Sequence, residues 1–162
     1  MKILYIGGQK SGKSSLAEKK ILEICEKKPY YIATYDDGFG DIEMKERLKR
    51  HKMRREKSFI TIEEPLNLDK IIKNKESYLV DCLSMWIMNL LESSEDYEQI
   101  LEKVLATDAN IVFVLNDVNS GIIPENSLSR KYIDTSGIVG QKVAKNCDEV
   151  YQIIVGLENR IK

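Results

Sequence analysis

Short apolar runs alternate with longer amphipathic stretches along the whole of this chain. The apolar runs predict six strands, at residues 2–6, 30–34, 59–62, 78–80, 111–115 and 150–155. The stretches between them predict five helices, at residues 13–27, 41–57, 83–91, 97–106 and 127–145. Several strands are apolar on both faces, which is typical of buried parallel strands. The alternation therefore predicts an α/β fold with a mostly parallel central sheet flanked by helices, and with ligand chemistry at the carboxyl ends of the strands.

The composition is that of an ordinary globular domain. The chain has 162 residues, of which 43% are hydrophobic and 31% charged, so it is long enough to bury a core. No repeat, low-complexity tract or linker divides it, and we expect residues 1–162 to form a single domain. Its 25 Lys and Arg nearly balance 26 Asp and Glu. A dedicated nucleic-acid-binding domain is normally strongly basic, so nucleic acid is not an expected partner.

The cysteines and the apolar runs bear on the cellular compartment of the protein. Cys25, Cys82 and Cys147 are far apart and form no C-x-x-C pair, so neither a disulfide framework nor a cysteine zinc site is expected. The apolar run at the amino terminus is too short for the core of a signal peptide. The longest mostly apolar stretch, residues 79–91, falls short of the roughly 20 residues that span a bilayer. We therefore expect a cytoplasmic protein without stable membrane insertion.

A glycine-rich loop follows the first predicted strand and satisfies the pattern G-x-x-x-x-G-K-S/T. Its residues are Gly7, Gly8, Gln9, Lys10, Ser11, Gly12, Lys13 and Ser14. Glycines let the backbone curl so that N–H groups face a phosphate chain, and the following helix presents its positive end to the same anion. Lys13 can reach the β- and γ-phosphates, and the Ser14 hydroxyl can bind Mg²⁺. The strand before and the helix after the loop favour nucleotide binding over a plain Gly-Gly turn.

An acidic residue at the end of another strand is the candidate partner of this loop. Residues 78–80 form an apolar run that ends at Asp81, whose carboxylate could hold Mg²⁺ directly or through water. The alternative is that Asp81 only caps the helix that follows. The presence of the phosphate loop favours the metal role.

The chain has one histidine, His51, in the middle of a strongly basic predicted helix. Glu43, Arg47 and His51 are spaced four residues apart, so a helix would place them on one face. Neutral imidazole is a competent nucleophile near neutrality, and Arg47 could steady a phosphate beside it. Basic helix faces are also commonly just solvated, with Lys and Arg stems covering apolar surface. The residues alone leave His51 open between a catalytic and an incidental role.

Several segments taken together resemble one family, the bifunctional adenosylcobinamide kinases/adenosylcobinamide-phosphate guanylyltransferases. The segments are GGQKSGKS at 7–14, YIAT at 31–34, DIEM at 41–44, R-x-x-x-H-K at 47–52, LVDCLSMW at 79–86, NLL at 89–91, GIIPEN at 121–126 and DEV at 148–150, with Arg130, Asp134, Gly137 and Gln141. The loop alone is shared by many enzymes, whereas its combination with the R-x-x-x-H and G-I-x-P-E-N segments is far more specific.

The resemblance implies a recombinase-like P-loop NTPase fold and a two-step enzyme of cobalamin biosynthesis. A nucleoside triphosphate, ATP or GTP, would phosphorylate adenosylcobinamide. GTP would then guanylylate an enzyme histidine, and GMP would pass to adenosylcobinamide phosphate to give adenosylcobinamide-GDP. By this resemblance His51 is the guanylyl carrier, with Lys13 as a second catalytic residue. The loop residues, Arg47 and Thr34 bind nucleotide, and Ser14 and Asp81 hold Mg²⁺. The resemblance also implies a homotrimer.

Three positions depart from the family pattern. Asp117 stands where the family usually has glutamate, Asn119 where it has glycine, and Gly140 where it has asparagine. Asparagine tolerates left-handed backbone, so the turn at Asn119 could persist. These departures bear on the substrate side, and they keep open a member with only guanylyltransferase activity. A separate alternative is a P-loop protein that binds nucleotide without turnover, against which the presence of Lys13, Ser14, Asp81 and His51 argues.

Overall fold

A computed structural model describes residues 1–35 and 57–162. Within them, the strands are β1 (Lys2–Gly7), β2 (Tyr30–Ala33), β3 (Ile60–Glu63), β4 (Ser77–Asp81), β5 (Asn110–Asn116), β6 (Glu149–Ile154) and β7 (Leu157–Arg160). The helices are α1 (Lys13–Ile24), α2 (Leu68–Ile71), α3 (Leu83–Leu91), α4 (Tyr97–Ala106) and α5 (Ser127–Asn146). The helix predicted at 41–57 lies outside the described residues except for Lys57, which is in a turn.

All seven strands join one sheet in the order β3-β2-β4-β5-β1-β6-β7. Every pairing is parallel except the antiparallel pairing of β6 with β7. The predicted α/β class, with a mostly parallel central sheet flanked by helices, is confirmed. The central strands are buried because their side chains are apolar on both faces. In β5, Ile111, Phe113 and Leu115 pack into one core, and Val112 and Val114 pack into the other.

Two apolar layers cover the two faces of the sheet. The larger layer contains α3, α4 and α5, with Trp86 as its largest fully buried side chain. The smaller layer is built around Ala17 and Ile21 of α1, which meet Ile3 and Tyr5 of β1. This packing fixes α1 directly over β1, β4 and β5. The residues at the carboxyl ends of these strands therefore surround the start of α1.

Two elements were not predicted, and one helix ends early. Helix α1 stops at Ile24, because Cys25 is extended and donates its N–H to Ile21; Pro29 further disfavours helix in the residue before it. The four-residue helix α2 was missed, as was β7, whose side chains are all exposed. The strand predicted at 150–155 also runs one residue too far, since Val155 and Gly156 form the turn between β6 and β7.

The described part of the chain contains no helix that is both long and apolar enough to cross a membrane.

Candidate active site

The phosphate loop joins β1 to α1 and needs glycine at two positions for different reasons. A Cβ at Gly7 would lie 2.6 Å from the Ile153 carbonyl oxygen, so the backbone of β6 leaves no room for a side chain. Gly12 has a φ of 97°, which a side chain would strain. Gly8 is different, since a Cβ there would meet nothing within 4 Å. The sequence argument, that glycine lets the loop backbone curl, therefore holds at Gly12, whereas Gly7 is needed for the close approach of β6.

Lys13 and Ser14 open helix α1 next to this loop. The Lys13 side chain is nearly buried, and its Nζ donates a hydrogen bond to the Gly8 carbonyl oxygen at 3.1 Å. The first α-helical hydrogen bond runs from the Leu16 N–H to Gly12, so the N–H groups of residues 13–15 precede the helical ladder. A helix start of this kind, together with an ammonium group, favours an anion.

Asp81 ends β4 and meets the start of α1. Its Oδ1 accepts a hydrogen bond from the Ser14 hydroxyl at 3.3 Å, and its Oδ2 accepts one from the Tyr31 hydroxyl at 2.5 Å. The residue that precedes α3 is Cys82, not Asp81. The geometry thus places Asp81 at the phosphate loop, as the metal role requires, and gives no support to a role only in capping α3.

The pair formed by Ser14 and Asp81 fits Mg²⁺. A hydroxyl and a carboxylate are oxygen ligands of the type this cation prefers, and Mg²⁺ usually keeps several waters and phosphate oxygens in addition. Among residues 1–35 and 57–162, no three His, Cys, Asp or Glu side chains converge on one point. A cation held here would therefore depend on the phosphates of a bound nucleotide for most of its ligands.

Thr34 hydrogen-bonds the backbone of Cys82, the residue that follows Asp81. Its side chain is fully buried; its hydroxyl donates to the Cys82 carbonyl oxygen at 2.7 Å and accepts from the Cys82 N–H at 3.0 Å. The Thr34 carbonyl oxygen accepts from Asn89 Nδ2 at 2.7 Å. Thr34 thus holds the backbone next to Asp81, and its hydroxyl is occupied by that contact.

Cys82 directly follows Asp81 in the sequence, and its thiol is a nucleophile to be considered at this site. Burial raises the pKa of Cys82 to about 11, and the neighbouring Asp81 carboxylate raises it further. At neutral pH the group is therefore a protonated thiol, which is a poor nucleophile. Cys82 is not suited to carry a nucleotidyl group.

The loop after β5 contains two of the departures from the family pattern. Asp117 accepts from the Ser120 hydroxyl at 3.1 Å, and Asn119 Nδ2 donates to the Ile133 carbonyl oxygen of α5 at 3.0 Å. Asn119 is not among the described residues with positive φ, so it ties the loop to α5 instead of supplying a left-handed turn. A Cβ at Gly140 would lie 3.1 Å from Leu115, so glycine there lets α5 approach β5 closely.

Two predicted site residues, Arg47 and His51, lie outside the described residues, as does the segment 41–44. Of the others, the structure brings Lys13, Ser14 and Asp81 together at the carboxyl end of the sheet. Gly7 ends β1, and Gly8, Gln9, Lys10, Ser11 and Gly12 connect it to α1.

Sequence reasoning missed several residues that position this site. Tyr31 holds Asp81, Ser84 accepts the Asn116 N–H at 2.7 Å, and Asn89 donates to both Thr34 and Pro65. These residues lie in or beside the segments 31–34, 79–86 and 89–91, but a single sequence does not say which of their side chains hydrogen-bond. The contact of the β6–β7 turn with the phosphate loop gave no sequence signal.

Comparison with known proteins places the chain in a family. The family described as cobinamide kinase / cobinamide phosphate guanyltransferase matches residues 3–161. The chain is 35% identical over 172 residues to the bifunctional adenosylcobalamin biosynthesis protein CobP of Pseudomonas aeruginosa, with 100% of this chain and 98% of the relative covered. It is 32% identical to the protein named CobU of Salmonella typhimurium and 30% identical to that of Escherichia coli, with 100% of both chains covered in each case.

A solved structure supports the fold independently of sequence. The flagellar accessory protein FlaH from Methanocaldococcus jannaschii superposes with a TM-score of 0.53, covering 99% of this chain and 77% of its own, at 13% identity. That similarity concerns the fold alone. The family match over nearly the whole chain and the full-length relatives carry the assignment: the chain belongs to the cobinamide kinase / cobinamide phosphate guanyltransferase family, enzymes of adenosylcobalamin biosynthesis.

Proposed function

We propose that this protein carries out both family reactions at one phosphate loop, with His51 as the carrier of GMP between them. The observation that carries the proposal is the contact of Ser14 with Asp81 beside Lys13, at the carboxyl end of the sheet. That arrangement has groups that phosphoryl transfer needs: an anion-binding loop, the ammonium group of Lys13, and a carboxylate that can hold a metal ion.

In the kinase reaction, the substrate hydroxyl of adenosylcobinamide attacks the γ-phosphorus of a nucleoside triphosphate. The new P–O bond forms as the bond to the β-phosphate oxygen breaks, the hydroxyl loses its proton, and a nucleoside diphosphate leaves. Lys13 stabilises charge on the phosphate oxygens, and the loop orients the chain of phosphates. Ser14 and Asp81 would hold Mg²⁺, which when bound adds positive charge at the phosphates. The Tyr31 hydroxyl orients the Asp81 carboxylate, and the Thr34 hydroxyl fixes the backbone of the adjacent Cys82.

In the guanylyl reaction, an imidazole nitrogen of His51 attacks the α-phosphorus of GTP and pyrophosphate leaves. A phosphate oxygen of adenosylcobinamide phosphate then attacks the same phosphorus, the P–N bond breaks, and the histidine is regenerated. Arg47 would steady the phosphate if residues 41–57 form the predicted helix. The protonated Cys82 thiol is no competitor for this role. We further propose that the protein is a cytoplasmic homotrimer with no nucleic-acid partner.

The experiment that tests this uses GTP labelled at the α-phosphorus. Wild-type protein should acquire label that is lost in acid and retained in base, as expected of a phosphoramidate. His51→Asn should abolish this labelling and the formation of adenosylcobinamide-GDP, while phosphorylation of adenosylcobinamide remains measurable.

Lys13→Ala serves as the matched control. It should weaken triphosphate binding about ten- to a hundredfold and reduce both reactions together, because it removes a charge-assisted contact to phosphate. Circular dichroism of both variants checks that they are folded. Continued labelling of folded His51→Asn would identify another nucleophile. Loss of both reactions in that variant would place His51 in the shared nucleotide site, and no labelling of wild type would favour a protein that only binds nucleotide.

A further inference from the structure

The turn between β6 and β7 rests on the phosphate loop. The Gly156 N–H donates a hydrogen bond to the Ser11 carbonyl oxygen at 2.9 Å. A Cβ at Gly12 would lie 3.4 Å from the Gly156 Cα, so the two backbones are close enough that even one added methyl group would reach van der Waals contact. The residue before this contact, Val155, therefore lies beside the loop that binds phosphate.

Val155 occupies a conformation that its side chain disfavours. Its φ is 46° and that of Gly156 is 85°, so both central residues of this two-residue hairpin turn have positive φ. Such turns strongly prefer Asn-Gly, and a β-branched residue at positive φ is an outlier. Asparagine at position 155 would adopt this turn with less backbone strain than valine.

Packing within the described residues does not account for the valine. Val155 is 84% exposed, and the neighbouring Ile154 and Leu157 are 53% and 71% exposed. The turn thus combines backbone strain with exposed apolar surface, and neither stabilises the hairpin. A residue that is unfavourable for its own backbone conformation is expected mainly where its side chain serves a function.

The sheet order indicates which part of a nucleotide would lie at this turn. Lys13 reaches the β- and γ-phosphates, and the Ser14 hydroxyl, which would hold the cation on those phosphates, contacts Asp81 of β4. The γ-phosphate end therefore points towards β4. Strands β6 and β7 lie on the other side of β1. A triphosphate lying across the loop in this direction directs its nucleoside towards the β6–β7 turn.

We infer that Val155 contacts the nucleoside, the sugar or base, of the triphosphate bound at the phosphate loop. Gly156 positions the turn through Ser11, and the branched side chain of Val155 covers an apolar face of the nucleoside. This inference rests on nucleotide binding at the loop, as in the proposed function.

The test compares a nucleotide with its phosphate chain alone. Binding of GTP and of inorganic tripolyphosphate, each with Mg²⁺, is measured by calorimetry for wild type, Val155→Asn and Val155→Ile. Val155→Asn should bind GTP about three- to tenfold more weakly, as expected for loss of part of a buried aliphatic contact, and tripolyphosphate unchanged. Val155→Ile keeps the apolar contact and should bind both as wild type does.

Ile161→Ala is the matched control, because Ile161 is an exposed aliphatic residue whose N–H pairs with Val150, at the far end of the hairpin from the turn. It should leave both affinities unchanged. Thermal melting checks folding; should Val155→Asn fail to fold, Val155→Ala must show the same selective loss.

Unchanged GTP affinity in folded Val155→Asn or, where that variant does not fold, in Val155→Ala would overturn the inference. An equal loss of GTP and tripolyphosphate affinity would overturn it too, since the turn would then act only on the loop. Wild-type protein that binds neither probe would instead overturn nucleotide binding at the loop, and the inference with it.

Discussion

At the scale of single residues, the two oxygens of Asp81 have different partners. Ser14 donates to one and Tyr31 to the other, so the carboxylate is oriented by α1 on one side and β2 on the other. Orientation by a fixed donor is how proteins commonly hold a metal ligand ready. The identity of Asp81 as a candidate followed from its place at the end of a strand, whereas its partner Tyr31 emerged only from the structure.

Asp81→Asn should raise the Mg²⁺ concentration needed for half-maximal activity by about tenfold or more, because an amide oxygen is a weaker ligand for a hard cation than a carboxylate. A Mg²⁺ titration of the kinase reaction measures this. Tyr31→Phe is the control: it keeps the carboxylate and removes one orienting hydrogen bond, so its shift should be smaller. An unchanged titration in Asp81→Asn would remove Asp81 from the metal site.

At the scale of elements, Glu149 at the start of β6 connects this strand to α1 and to β7. Its carboxylate pairs with Lys20 of α1 at 3.0 Å and with Arg160 of β7 at 3.4 Å, and it accepts from the Tyr151 hydroxyl at 2.9 Å. The hydrogen bond from Lys20 lowers the pKa of Glu149, and the hydrogen bond from Tyr151 lowers it further. Lys20 also lies 5.5 Å from the centre of the Tyr151 ring. This cluster fastens β6 and the exposed strand β7 to α1.

Glu149→Gln should destabilise the protein by about 1 kcal/mol at pH 7, since it removes the charge from a largely buried pair. A carboxyl whose folded pKa is lowered contributes stability above its ordinary pKa, and this contribution is lost as pH falls through the folded value. The difference between variant and wild type should therefore shrink as pH falls below about 4.

Urea unfolding at several pH values measures the Glu149 effect. Glu23→Gln, in the exposed pair with Lys19, is the control, and its change should stay within about 0.5 kcal/mol. A loss of the same size for Glu149→Gln at neutral and acid pH would show that packing, and not the charge, is what the substitution removes.

At the scale of the whole molecule, the sheet order places the two candidate nucleotide contacts on opposite sides of β1. Asp81 lies on the β4 side and the Val155–Gly156 turn on the β6 side. The loop after β5 leaves Ile122 and Ile123 at 94% and 79% exposure, which gives this end of the sheet an exposed apolar surface. That residues 1–162 form one domain, and that three chains associate, both stay predictions.

Sedimentation equilibrium should give a mass equal to three chains of 18.6 kDa each. The expectation comes from the family resemblance. The mass should be independent of protein concentration over the range used for activity, and the same for Lys13→Ala, because the phosphate loop is not expected to hold the trimer together. A single-chain mass at activity concentrations would contradict the trimer.

The local pattern of the sequence was enough to predict the class of fold and to name the candidate site residues that the structure brings together. Apolar runs mark buried strands, and the G-x-x-x-x-G-K-S/T spacing between a strand and a helix is typical of phosphate binding. The sequence therefore predicted β1 and the phosphate loop, and it named Lys13, Ser14 and Asp81 as candidates. The ends of elements were less predictable. Helix α1 stops at Ile24, where the backbone of Cys25 becomes extended, and in β7 a single leucine is followed by three polar residues, all exposed, which gives no strand pattern.

Only the tertiary structure decided the pairings between distant residues. The Tyr31 hydroxyl meets Asp81 because β2 and β4 are neighbours in the sheet, with Ala33 opposite Asp81. The Gly156 N–H meets Ser11 because β6 pairs with β1. Both contacts depend on strand order and register, which arise from the packing of the whole core. The pattern along the chain thus determined which residues can do chemistry, and the arrangement of the sheet determined which residues hold them in place.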